Sequence, residues 1–331
     1  MSCNPIFAAK FEKSLVTDDL IHIATKKDNE AKIVTAQKEM NSWVFTANNI
    51  PDVALAFSDH YVWDGSSVVV DKNTKRRASV QAAFLDNASD FHQMVGFGKH
   101  SLDWFSNNMP GVPYPYSKST IVQGFADMEY PMMVNDNTTP NPDFSRFVAE
   151  HEIAHTYFPI ITPSNILTGA GLGNNEYGKP ALGYLAVKDL LGDVLFKKSL
   201  QEYMNRWNGK HPTPWDFFYS FNDAAGKSLN WFWHNWFFTN GYIDIAIDKV
   251  TAKRKGYIVN LKNIGGFVAP VDVIVTYDDN STDTLHQTPE LWRINAKDAV
   301  VNIKAAKKIV SIKLEGGIFM DADMTNNVWK K

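Results

Sequence analysis

The chain has 331 residues, 44% of them hydrophobic and 13% aromatic, enough to fill the cores of two or three domains. Its formal charge is −3 with both signs interspersed, and its basic pieces are as short as Lys75, Arg76 and Arg77, which argues against a nucleic-acid partner. Cys3 is the only cysteine, so an intrachain disulfide and a cysteine-based zinc cluster are excluded, and any metal must be held by His, Asp or Glu.

The opening residues lack the apolar core of a signal peptide, and no run of about 18 apolar residues offers a membrane span. The chain is expected to be soluble, with an exported protein that has lost its signal segment left open as an alternative. From about 33 to 70, segments such as "SWVFTA" and "SSVVVD" are short, β-branched and broken by Asn, Asp, Pro and Gly, which predicts strands and turns. After the turn "KNTKRRA", the segment "SVQAAFL" reads as another strand. Ser89 and Asp90 then offer an N-cap for a helix over 91–109, whose Phe91, Val95, Leu102 and Phe105 share one face. Pro110, Pro113 and Pro115 end it, and "STIVQGFADMEYPMMVN" follows as strand with a glycine break.

From 143 to about 242 the pattern is helical. Pro180 fits a first turn and Gly192 the end of that helix, and the next helix closes on Gly209. Leu229, Trp233, Trp236 and Phe237 recur at helical spacing, as burial alone would produce. Beyond 243, "YIVNLKN", "PVDVIVTYDDNST", "AVVNIKAA" and "KIVSIKLEG" alternate with period two, with Asp278, Asp279, Asn280 and Ser281 as hairpin-turn residues, and this predicts a β-sandwich.

The stretch "RFVAEHEIAHTYFP" carries the chemistry. On a helix, His151 and His155 lie one turn apart on one face and can direct ring nitrogens to a common zinc ion. Glu152 is then placed to reach a metal-bound water rather than the metal, the position of a general base. Phe147, Val148, Ile153, Ala154 and Phe158 surround the trio, as a helix buried in a core requires. A buried helix whose histidines bond to backbone is the alternative.

"VAEHEIAHTYFP" resembles the zinc helix of the M1 aminopeptidases, the gluzincins that include aminopeptidase N and leukotriene A4 hydrolase. "GFADMEYP" is similar to the family's G-x-M-E-N strand, with Tyr130 in place of Asn, and "EYGKPALGYL" to its Y-x-K-G segment. The resemblance implies that Glu129 binds a substrate's free α-amine, that Tyr177 donates to the oxyanion and that Lys179 is the family's following lysine. It further implies one Zn2+ ion and a peptide substrate with a free N-terminus. The expected fold is multidomain α+β: a shortened β-rich amino-terminal region over 1–75, a mainly helical thermolysin-like domain over 76–242 and a β-sandwich over 243–331. The family completes its zinc site with a glutamate in a W-x-x-E-G helix, separated from the second histidine by eighteen intervening residues. Asn174 stands at that position here, no W-x-x-E-G occurs, and Glu176 is the sole carboxylate of the segment that could be recruited. A non-catalytic homologue with an incomplete zinc site is therefore the second functional expectation.

Overall fold

The structure, a computed structural model, describes residues 22–24, 54–56, 58, 60–157 and 177–331. The strands expected between 33 and 53, together with Phe158 and Glu176, lie outside the described residues. The chain is a mixed α+β protein with several sheets that divides into two compact units, 1–162 with 203–213, and 163–202 with 214–331. Among the described residues no helix is long and apolar enough to cross a membrane.

The first unit is built on a six-stranded sheet of order β1-β2-β3-β4-β6-β5. Strands β1 (His22–Ala24), β2 (Val62–Asp71) and β3 (Arg76–Phe84) are antiparallel neighbours. The β2–β3 hairpin runs across residue 75, so one hydrogen-bonded ladder joins both sides of the boundary expected there. In β3, Ala78, Val80, Ala82 and Phe84 are wholly buried at period two, which is how a strand covers a core with one face. Helix α1 (Met94–Asn107) connects β3 to the parallel strand β4 (Lys118–Gln123) and packs on the sheet. Strands β5 (Met128–Tyr130) and β6 (Met133–Asp136) form a hairpin on the far side of β4, and helix α2 (Pro142–His155) lies against them and against α1.

One local feature differs from the sequence reading. Asp90 makes no capping hydrogen bond and precedes a single 3-10 turn, Phe91–Gln93. Its buried carboxylate instead accepts from the Thr138 hydroxyl (2.5 Å), the Thr139 N–H (2.9 Å) and the Ser145 hydroxyl (2.9 Å), which ties the start of α1 to the entry of α2. Burial opposes ionisation there, but these donors outweigh it and hold the carboxyl below its ordinary value. The glycine break at Gly124 has a steric cause, because a Cβ would stand 1.8 Å from the Asn135 amide nitrogen.

In the second unit, Gly192 interrupts helix α3 (Lys179–Trp207) at φ 73°, where the sequence predicts a helix end. Helices α4 (Pro214–Ala225) and α5 (Asn230–Phe238) enclose an aromatic core in which Phe221, Phe232, Trp233 and Trp236 are at most 2% exposed. The predicted stripe is core packing: the Trp236 ring stacks on Phe267 at 4.7 Å and its N–H donates to the Val268 carbonyl. Strands β7 (Ile245–Lys253), β8 (Gly256–Asn263) and β11 (Asp298–Ile303) form an antiparallel sheet of order β11-β8-β7. Strands β9 (Val271–Tyr277), β10 (Thr282–Gln287), β12 (Ile309–Glu315) and β13 (Val328–Lys330) form a second, of order β10-β9-β12-β13, and β12 and β13 touch β7. Asn280 adopts φ 63° in the predicted β9–β10 turn.

Candidate metal centre

Helix α2 begins where its chemistry dictates. The Asn141 side chain accepts from the N–H groups of Asp143 (3.1 Å) and Phe144 (3.3 Å), and Pro142 takes the first turn, where a missing N–H costs nothing. Three stripes then run along it. Ser145, Val148, Ala149, Glu152 and Ile153 face the core. Arg146 and Glu150 form an ion pair at 2.8 Å that also engages His100. Phe144, Phe147, His151 and His155 form the third stripe. The far end is anchored by buried Tyr157, which packs on the rings of Phe105 and Tyr114 and bonds to the Ser106 hydroxyl.

The Nε2 atoms of His151 and His155 stand 3.0 Å apart, with ring planes at 87°. Two nitrogens bound to one tetrahedral zinc ion at 2.0–2.1 Å are separated by about 3.3 Å, so the pair fits a shared ion. Burial holds both imidazoles below their ordinary pKa. The charge of His155 adds to this for His151, and Glu129 opposes it at both rings. That favours the neutral form a metal requires.

Glu152 lies on the core stripe, 5% exposed, with Oε1 4.0 Å from the His151 Nε2 and Oε2 without a hydrogen-bond partner. Burial, then the charges of Glu129, Asp136 and Asp127, push its carboxyl up to about 8. A cation bound beside it would favour ionisation.

Glu129 reaches this group from β5, paired with Val134 across a turn in which Met132 is held at φ 64°, an uncommon conformation for a residue with a Cβ. Glu129, His151, Glu152 and His155 therefore belong to one neighbourhood of the first unit. Tyr177 belongs to the second unit, half exposed just ahead of α3. Lys179 is committed to structure there, donating to the Thr239 carbonyl at 2.9 Å and lying 5.1 Å over the Phe267 ring. Among the described residues no group of three His, Cys, Asp or Glu side chains is placed to hold a metal ion.

Two site neighbours escaped the sequence reading. Asp136 is wholly buried at the end of β6 with neither carboxyl oxygen partnered, and burial, then Asp127 and Asp90, raise it to about 7. No local motif marks it. Phe147 was expected in the core but is 57% exposed, its ring 5.7 Å from that of His151. The helical period explains this, since a residue four before His151 shares the imidazole stripe rather than the core stripe.

No protein-family model matches the chain. No curated protein matches it in sequence. Among solved structures it is similar to the crystal structure of Legionella pneumophila aminopeptidase A in complex with aspartic acid, with TM-score 0.63, 12% identity and coverage of 82% of this chain. It spans 39% of the length of that neighbour. The likeness is one of fold.

Proposed function

We propose that the protein is a zinc-dependent metallopeptidase of the aminopeptidase kind, similar to the M1 gluzincins, acting on peptides with a free N-terminus. The observation that carries this reading is the pair of Nε2 atoms 3.0 Å apart beside a buried glutamate. His151 and His155 would hold the ion. When bound, zinc supplies a Lewis acid and lowers the pKa of a water from 15.7 to about 7. Glu152 accepts the proton of the attacking water and delivers it to the leaving amine. Glu129 would fix the substrate's ammonium, and the resemblance of the Y-x-K-G segment gives Tyr177 the role of donor to the carbonyl oxygen. In this reading a β-rich amino-terminal region, a thermolysin-like part and a carboxy-terminal β-sandwich follow one another along the sequence.

The third ligand decides between this and a second reading, a non-catalytic homologue that keeps the scaffold for binding. What favours the second is the want of a third donor beside the histidines among the described residues. Glu176 is the candidate the sequence offers. Zinc titration of the purified chain, with hydrolysis of aminoacyl amides measured beside a Glu152→Ala control, separates the two. The enzyme reading requires stoichiometric zinc, lost in His151→Ala, and turnover that falls at least about 100-fold in Glu152→Ala. Equal activity of the two proteins ends it. Tight zinc that is lost in Glu176→Ala would count against the non-catalytic reading.

A further inference from the structure

The stripe of α2 that carries the two histidines is aromatic where a solvated stripe would be charged. The neighbouring stripe shows the contrast, with Arg146 and Glu150 paired in water. Phe144 is 51% and Phe147 57% exposed, although the core stripe of the same helix is already filled by Val148, Ala149 and Ile153. The rings form a ladder: Phe144 stacks on Phe147 with centroids 6.2 Å apart, Phe147 lies 5.7 Å from His151, and His151 lies 4.6 Å from His155. Phe147 thus stands one turn from the paired imidazoles on the face they share.

We infer that Phe147, backed by Phe144, is the apolar wall of a subsite one helical turn from the imidazole pair, and that the site selects substrates with an apolar or aromatic side chain beside the amine-bearing carbon. This rests on the aminopeptidase reading of the same helix. A ring or branched alkyl group buries area against Phe147 and keeps its ammonium near Glu129. An acidic side chain gains nothing from the Phe147 ring and meets the Glu129 carboxylate that holds the ammonium. The apolar contact is worth about 10-fold to 200-fold in discrimination. Continuity with the imidazole pair makes a substrate side chain the occupant, rather than a second copy of the chain.

The test is binding of phenylalanine amide and aspartate amide to the purified chain, followed by saturation-transfer NMR with and without zinc, beside zinc affinity and sedimentation mass for each variant. The wild type is expected to bind phenylalanine amide at least about 10-fold more tightly than aspartate amide. Phe147→Ala should abolish that difference with zinc affinity and mass unchanged, Phe147→Leu should restore most of it, and Phe144→Ala should weaken it less. Absence of the preference in the wild type overturns the inference, as does its survival in Phe147→Ala. A fall in sedimentation mass in Phe147→Ala overturns it too, because the stripe would then be a contact between copies. Failure of the wild type to bind zinc overturns the metal reading alone, since the preference between the two amides is read without metal as well.

Discussion

In the first unit Asp136 is wholly buried with both carboxyl oxygens unpartnered, and Asp64 and Glu152 each bury one unpartnered oxygen. In the second unit the unpartnered buried side-chain oxygens among the described residues are one each on Asp189, Asn326 and Asn327, and several polar groups between helix and sheet are well bonded. Asn235 donates to the Gly266 carbonyl and accepts from the Val268 N–H, Trp292 donates to the Ala269 carbonyl, and Asp189, though one of its oxygens is unpartnered, holds His286 through the other. An unpaired buried carboxylate costs several times what a satisfied amide does. In the first unit one of these carboxylates, Asp136, acts on another, Glu152, beside the imidazole pair, whereas in the second unit only Asp189 is a carboxylate and it is bonded to His286.

Mutations sharpen this contrast. The largest effect is expected in the second unit, where Trp236→Ala removes a ring that is 1% exposed and stacked on Phe267. It should destabilise by about 3–5 kcal/mol in urea denaturation. Loss of less than about 1 kcal/mol would show that the aromatic core is loosely packed.

Asp136→Asn should act in the opposite direction. The folded-state pKa of Asp136 is raised from 3.8 to about 7, so its contribution to stability is complete below pH 3.8 and is lost as pH rises through 7. The variant escapes that loss and should be more stable than the wild type at pH 8 by roughly 4 kcal/mol, with the difference vanishing near pH 4. Urea midpoints at the two pH values measure it, and a variant less stable at pH 8 would place a cation or donor beside Asp136.

Asp90 supplies the counterexample within the first unit, a buried carboxylate that is fully satisfied. Its folded-state pKa is depressed, so its stabilisation is present above the unfolded value and is lost as pH falls through the folded one. Asp90→Asn should cost about 2 kcal/mol at pH 7 and progressively less on acidification.

The smallest effect is expected at His286, whose two ring nitrogens face Asp272 at 2.7 Å and Asp189 at 2.9 Å. Carboxylates only accept, so both nitrogens must donate and the ring is cationic. Burial opposes this, but the two aspartates raise the pKa. The stabilisation is therefore complete below the unfolded value and disappears as pH rises through the folded one. Because the side chain is 50% exposed, His286→Gln should cost less than about 1 kcal/mol, and only on the acidic side, in melts at pH 5.5 and 8.5.

Much of the architecture was legible because it follows from local rules. Period two predicted β8, β9, β11 and β12, and the helix-ending roles of Gly192 and Gly209 match their φ of 73° and 69°. The spacing of His151 and His155 was equally local, because a helix brings residues four apart onto one face whatever it packs against. Asp90 was misread because the N-cap preference it satisfies in sequence is overridden by donors from 138, 139 and 145, which only tertiary packing brings near.

The sequence by itself determined the order of elements, the imidazole pair and its adjacent acid, since each depends on contacts within one turn or one hairpin. Only the tertiary structure decided which stripe of α2 meets the core. That choice buries Glu152, exposes Phe147 beside His151, and gathers Glu129, Asp127 and Asp136 around them. The physical reason is that desolvation and the summed charge of distant residues depend on packing in three dimensions, which spacing along the chain does not encode.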